Sequence, residues 1–428
     1  MKHGRVFILL LITALLTWGL RLDAAYLGST HCDQDLGGIT LARGFCATVF
    51  ADQLGVARHM AVDAAGNLYV ALEERANGAG IVALRDSDGR GHADQIKYFG
   101  DQGGSGIALH GGYLYFATPT TVVRYALKPG ELAPSSAPQT VVSGFPDQNQ
   151  HAAKSIAIDD QGHLYVNVGA PSNACQFDDR AAGSPGKMPC PLLANHGGIW
   201  RFDADRPGQT FPRDGTRYAT GIRNAVAVTW NSAVGALYAL QMGRDQLSDN
   251  WHKLYTDEQS AELPAEEFLR VSQGDDFGWP YCYYDQFQKS RVQAPEYGGD
   301  GQKRGDCGKY VQPIAAFPGH WAPESVLFYA GDRFPAGYRG GAFITFHGSW
   351  NRAPLPQAGY KVVFLPFKDG KPSAPYQIFA DGFAGSDKLV SPGDANFRPM
   401  GLAEGPDGAL YIGDTQRGRI WRVIYTGP

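Results

Sequence analysis

Short apolar and aromatic runs alternate with polar turns along this chain in a four-part pattern that recurs six times. One part is a Gly-containing turn that opens an apolar-aromatic run: DAAGNLYV (63–70), HGGYLYFA (110–117), DDQGHLYV (159–166), NSAVGALYAL (231–240), GGAFITF (340–346) and GPDGALYI (405–412). A short apolar run stands before each turn: MAV, GIAL, SIAI, AVAVTW, SVLFYA and GLAE. Turn and flanking runs predict a β-hairpin. A third run follows each hairpin, usually as apolar-Arg-apolar: 80–86, 120–126, 197–203, 266–272, 360–365 and 418–424, the fifth lacking the Arg. A fourth, often closing on Gly, occupies 94–100, 138–144, 215–221, 312–319 and 376–382.

That makes five fourth strands for six hairpins. The sixth is CATVFADQLG (46–55), which precedes the first hairpin and can pair with the last strand of the chain. Such pairing closes a ring and removes open sheet edges. The expected fold is therefore all-β: a six-bladed β-propeller of four-stranded antiparallel blades, closed by an N-terminal strand. A β-sandwich could share these turns, but a four-part register repeated six times favours the propeller. Two insertions interrupt the repeat, 171–196 and 274–311.

Composition agrees with short strands and turns. Among 428 residues, Gly (55) and Pro (27) are abundant and charged residues make up 19%. A net charge of −4 without Lys/Arg runs argues against nucleic acid as a partner. Lys2 and Arg5, the apolar run 6–20 and the small pair Ala24-Ala25 read as a signal peptide over 1–25, with an uncleaved membrane anchor as the alternative. The propeller domain then spans 26–428, in a periplasmic or secreted protein. Six cysteines fall in three sequence-local pairs, Cys32/Cys46, Cys175/Cys190 and Cys282/Cys307, read as disulfides; the last two pairs would staple the insertions, taken as long loops without a core of their own. The eleven histidines form no HExxH or comparable spacing, so no transition-metal centre is expected. GxSxG, Walker and strand-helix GxGxxG motifs are missing as well.

In an antiparallel four-stranded blade, loops from strand four to the next strand one share a face with loops joining strands two and three. The first set brings Arg58, His59, Gln102, residues 149–151, Arg223, Asn224, His320, Trp321, Asn396 and Arg398 to one mouth of the channel. The second brings residues 73–75, the 169–197 insertion, Gly243, Arg244, Asp245, residues 348–352 and 414–417. Cations, amides and aromatics gathered there suit a planar polyanion, held by Arg forks and stacked on an indole. His151 is the candidate general base, since imidazole titrates near neutral pH.

Several segments resemble the glucose/sorbosone dehydrogenase family of soluble quinoproteins: 44–63, 151–175, ATGIRNAVAVTW (219–230), DDFGWPYCYYD (275–285), FHGSWNR (346–352) and 398–423. The resemblance implies pyrroloquinoline quinone (PQQ) and Ca2+ at the channel mouth and oxidation of a sugar or sugar aldehyde. It assigns His151 to the substrate hydroxyl proton. Arg223, Asn224, Arg352, Arg398 and, on a looser alignment, Gln102 would contact the cofactor; the carbonyls of Gly243 and Arg244 would hold calcium, a hard cation that takes oxygen ligands. Trp321 is expected at the substrate. Electrons would pass on to a soluble or membrane acceptor, a quinone or cytochrome. Asn396 and Gln241-Met242 depart from residues common in close relatives. Two other classes fit a propeller mouth: a calcium-dependent lactonase, which needs more carboxylates there, and a non-catalytic glycan- or protein-binding propeller.

Overall fold

The structure is a computed structural model that describes Met1 and residues 31–386 and 388–427. The expected signal segment therefore lies outside the described residues, apart from Met1. Six small antiparallel sheets stand in a ring. Blade 1 comprises Ala57–Val62, Leu68–Ala76, Ala79–Arg85 and Gln95–Phe99; blade 2, Gly106–His110, Tyr113–Ala117, Thr121–Ala126 and Gln139–Ser143; blade 3, Ile156–Ile158, His163–Val168, Gly198–Asp203 and Thr216–Thr220. Blade 4 comprises Ala227–Asn231, Ala236–Gln241, Glu266–Val271 and Ala315–Phe317; blade 5, Pro323–Phe328, Ala342–Phe346, Lys361–Leu365 and Gln377–Asp381; blade 6, Pro399–Glu404, Leu410–Asp414, Ile420–Tyr425 and the closing strand Phe45–Ala51.

The second strand of each blade is buried on both faces, because a neighbouring blade covers each side. Alternate residues therefore enter different seams. Leu68, Val70 and Leu72 pack against blade 6, whereas Tyr69 and Ala71 pack against blade 2. This explains why runs such as NLYVAL read as continuously apolar rather than alternating. Each of the six seams holds its own apolar cluster. The closing strand runs antiparallel to Ile420–Tyr425, from Phe45 opposite Tyr425 to Ala51 opposite Ile420. Phe45 sets its ring edge-on to Phe334, Tyr338, Phe379 and Tyr425, at centroid distances of 4.7–5.2 Å.

Three two-residue strands extend blades outward beyond the expected repeat: Gln209–Thr210 on blade 2, Asp275–Asp276 on blade 3 and Thr40–Leu41 on blade 5. The three disulfides form as paired, Cys32–Cys46, Cys175–Cys190 and Cys282–Cys307. The insertions are more ordered than the sequence suggested. Cys282 opens a two-stranded ribbon, Cys282–Asp285 against Ser290–Gln293. Cys307, expected in an irregular loop, instead begins the 3-10 turn Cys307–Lys309, in which its carbonyl accepts from Tyr310 N (3.3 Å). The physical reason is a small core of their own: the Cys282–Cys307 bridge is buried with Tyr310. The two insertions also pack against each other. Tyr297 Oη donates to the Ala174 carbonyl (3.2 Å), Trp279 Nε1 to the Asn173 carbonyl (2.9 Å), and Cys190 N to Tyr281 Oη (2.8 Å). A third insertion, in the second loop of blade 4, carries the short helices Leu247–Trp251 and Asp257–Glu262. Among the described residues no helix is long and apolar enough to cross a membrane.

Candidate functional site

His151 adopts φ +55°, a left-handed backbone unusual for a residue with a Cβ and found where surrounding structure holds a side chain in place. The loop carrying it leads into blade 3. Its Nδ1 lies 2.5 Å from the Ala170 carbonyl, at the end of the second strand of that blade. A carbonyl can only accept, so Nδ1 carries the proton and Nε2 keeps the lone pair. Burial and the nearby Arg223 cation lower the imidazole pKa to about 4, leaving it neutral at ordinary pH. Glycine at 169 permits this approach. A Cβ there would stand 2.6 Å from His151 Cβ and 2.8 Å from Asn224 Oδ1.

Beside His151, Arg223 and Asn224 bridge blades 3 and 4. The Arg223 carbonyl accepts from Ala170 N (2.8 Å), and Asn224 Oδ1 accepts from Asn167 Nδ2 (3.0 Å). Arg223 Nη1 donates to the Gly243 carbonyl (2.8 Å), and Nη2 to Asn173 Oδ1 (3.1 Å) and Asp245 Oδ2 (2.6 Å). Its Nε is buried without a partner.

Asp245 is the hub of the site, although its residue type alone did not single it out. Oδ2 also accepts from Arg180 Nη2 (2.9 Å), Oδ1 from Asn351 Nδ2 (2.8 Å), and its backbone N donates to Asn173 Oδ1 (2.8 Å). One carboxylate thus ties together loops of blades 3, 4 and 5. The two guanidinium groups hold its pKa well below the usual carboxylate range. Glu266, which the sequence reading did not place at the mouth, lies buried beneath the same loop and accepts from Gly243 N (3.0 Å) and Ala322 N (3.0 Å). Desolvation pushes its pKa up to about 8. The Asp245 pairings join residues 22 to 106 positions apart, so spacing along the chain carries no signal for them.

A second corner forms where blades 5, 6 and 1 meet. Arg398 Nε and Nη2 donate to the carbonyls of His347 (3.2 Å) and Gly348 (2.7 Å), which leaves the other donors of its fork available. Arg58 pairs there with Glu324 (3.2 Å), and His347 Nε2 meets Thr415 Oγ1 (2.6 Å). His59 Nδ1 and Nε2 lie 3.0 and 2.9 Å from the carbonyls of Ser105 and Glu324, so the ring lies between blades 2 and 5 at the channel.

His151, Arg223, Asn224, Gly243 and Arg244 are thus brought together, and Arg398 joins them through the blade 5 loop. The other expected residues lie elsewhere. Arg352 is engaged mainly on the loops of blade 4, donating to the Ala261 (2.7 Å), Gly319 (3.3 Å) and Pro356 (3.2 Å) carbonyls and pairing with Glu262 (2.6 Å). Trp321 packs between blades 4 and 5 against Phe346 (5.2 Å) and Tyr376, with Lys361 over its ring. Gln102 is exposed. The Arg244 side chain is buried on Glu296 (2.5 Å). On the blade 5 loop the exposed indole is Trp350. Cys282 lines a small cavity with Arg223, Gly243 and Arg244, and its partner Cys307 is buried with it in the cluster of Tyr310.

Fold and site together define a six-bladed propeller with a polar, cation-rich cup at one end of its channel. The family model of TrAA12-like proteins matches residues 39–426, and the chain belongs to that family. A protein named pyrroloquinoline quinone-dependent pyranose dehydrogenase from Coprinopsis cinerea is 24% identical over 90% of this chain and 54% of its own length. A pyrroloquinoline quinone-dependent sugar dehydrogenase from Hypocrea jecorina is 23% identical over 74% of this chain and 73% of its own. An uncharacterised Borreliella burgdorferi protein is 30% identical over 48% of each chain. This chain spans about half the length of the Borreliella and Coprinopsis proteins. The solved PQQ domain of the Coprinopsis enzyme, in its holo form, superposes with a TM-score of 0.72 at 21% identity, covering 90% of this chain and 97% of that one. A calcium structure of a Trichoderma reesei family AA12 enzyme gives 0.72 at 20% identity, covering 94% and 99%. Both likenesses bear on the fold.

Proposed function

We propose that the protein is an extracytoplasmic quinoprotein that oxidises a sugar or sugar aldehyde with PQQ and calcium at the channel mouth. The observation carrying this reading is His151, a neutral imidazole whose Nδ1–H is fixed on the Ala170 carbonyl while Nε2 keeps its lone pair beside Arg223 and Asn224. Three disulfides suit an oxidising compartment. The named Coprinopsis and Hypocrea relatives support the cofactor and the sugar.

The residues present fit the group. Arg223 Nε has no partner although buried, and Arg398 uses two of its five N–H donors on carbonyls, so anionic oxygens would find charge-assisted partners at both. The Gly243 carbonyl accepts from Arg223 but keeps a second lone pair for a cation, with the ionised Asp245 carboxylate supplying negative charge nearby. Arg223, Asn224 and Arg398 would hold the quinone, and the Gly243 and Arg244 carbonyls the calcium. Arg352 and Trp321, engaged elsewhere, are left out of this assignment. When bound, the quinone supplies a two-electron acceptor and calcium the Lewis acid that sharpens it.

His151 Nε2 then takes the substrate hydroxyl proton, so that hydride leaves more readily from the carbon bearing it. The fixed Nδ1–H orients the ring, and Asp245 keeps Arg223 in place. Reconstitution with PQQ and calcium should give dye-linked oxidation of sugars or sugar aldehydes and none with NAD. His151→Gln should fold and bind quinone but lose turnover by about 10²–10⁴. Near-normal turnover in that variant rejects the base, and silence of the loaded protein across sugars and aldehydes rejects the reading.

A further inference from the structure

Far from the cup, a second cluster stands beside the closing strand. His31, Asp33 and His92 bring one ligand atom each to within 4.8 Å of one another. They come from the segment before the closing strand and from the loop between strands three and four of blade 1, a loop of the face opposite the mouth. No spacing along the chain announces them, because His92 belongs to a different blade segment from the other two.

Val49, on the outer edge of the closing strand, orients two of the three. Asp33 Oδ2 accepts from Val49 N (2.7 Å), and His92 Nδ1 donates to the Val49 carbonyl (2.8 Å). The first leaves Asp33 Oδ1 turned to His31, with Nε2 of that ring 3.6 Å away. The second fixes the His92 tautomer, so Nε2 carries the lone pair. An imidazole whose other nitrogen donates to a backbone carbonyl is the usual arrangement of a metal-binding His. The Cys32–Cys46 disulfide anchors the segment between the two N-terminal ligands, and Thr48 Oγ1 donates to the His31 carbonyl (2.7 Å).

We propose that His31, Asp33 and His92 form a binding site for a divalent transition-metal ion of the zinc or copper(II) type, with solvent completing its coordination. Two imidazoles and one carboxylate suit borderline cations better than calcium, which prefers all-oxygen sites. Zinc holds N and O donors at about 2.0–2.2 Å, which places neighbouring donors roughly 3.3–3.5 Å apart. The His31–Asp33 pair already comes close to that spacing, and rotation of the exposed His31 side chain toward the anchored His92 closes the remainder. A bound ion would join the N-terminal segment to blade 1 across the outer edge of the closing strand. It would thereby lock the strand that closes the ring.

The test uses the full chain, stripped of metal and then titrated with zinc chloride in the presence of excess calcium. One zinc per chain is expected. His92→Gln, whose amide can still donate to Val49, and His31→Ala should each weaken binding about tenfold or more. Copper(II) at the same site should show nitrogen hyperfine coupling that falls in both variants. Zinc binding that is missing, unchanged in both variants, or displaced by calcium overturns the proposal. Dye-linked sugar oxidation should be unaltered in His92→Gln, so this site and the quinone cup stand or fall separately.

Discussion

A methyl group added at Gly169 would meet His151 Cβ at 2.6 Å and Asn224 Oδ1 at 2.8 Å. Gly169→Ala should therefore displace the base and the amide together. Small-to-large changes in packed sites cost about 1–3 kcal/mol, so thermal unfolding should move down modestly while turnover of the reconstituted enzyme falls much further. Unchanged turnover would mean the loop yields without moving His151. The same histidine sets a pH expectation. Its pKa of about 4 lies below the ordinary 6.5, so the proton-accepting form predominates above pH 5 and is lost only as pH falls through 4. The acid limb of kcat/KM should sit near that value, not near 6.5. His151 and Arg223 were legible in the sequence because blade topology sorts loops by face. The same sorting put Asp245 at the mouth but gave it no role, and it left out Glu266, because both roles come from partners on other loops, and exposure of a carboxylate cannot be read from its neighbours in the chain.

At the scale of elements, the two insertions of blades 3 and 4 behave as one wall beside the cup. Tyr297, in the second, donates to the Ala174 carbonyl in the first, and it packs so closely on Gly186 that a Cβ there would stand 2.2 Å from its ring. Tyr297→Ala should open both insertions to limited proteolysis although only one is altered, while the blades keep their circular dichroism. Cleavage confined to the second insertion would show that each is held by its own disulfide. The cysteine spacing revealed both staples but neither this contact, which joins positions 123 residues apart, nor the turn at Cys307, whose order comes from burial with Tyr310. The helix Asp257–Glu262 did have a local signal. Thr256 and Gln259 form a reciprocal capping box, a Thr-x-x-Gln pattern lying inside an otherwise irregular loop.

For the whole molecule, the fourfold strand pattern was readable because every seam demands apolar residues on both faces of the inner strands. The short outer strands were not, since two-residue pairings carry no pattern. The closing strand is the joint on which the ring depends. Phe45 is 7% exposed and fills the seam of blades 5 and 6. Phe45→Ala should cost about 3–5 kcal/mol, as for other buried phenylalanines, and denaturant unfolding should show it without any change in quinone affinity at saturation. A loss below about 1 kcal/mol, far short of a cavity's usual cost, would mean that strand pairing alone seals the ring. Because Phe45 pairs with Tyr425, and Thr426 N donates to the Gly44 carbonyl at 2.9 Å, blade 6 unites the two ends of the described chain. Five blades can assemble while the polypeptide is still emerging, but the sixth must wait for strand Ile420–Tyr425 to emerge. Until then an unpaired Phe45–Ala51 edge stands ready to capture any other strand, which makes this the stage at which a chaperone has most to protect.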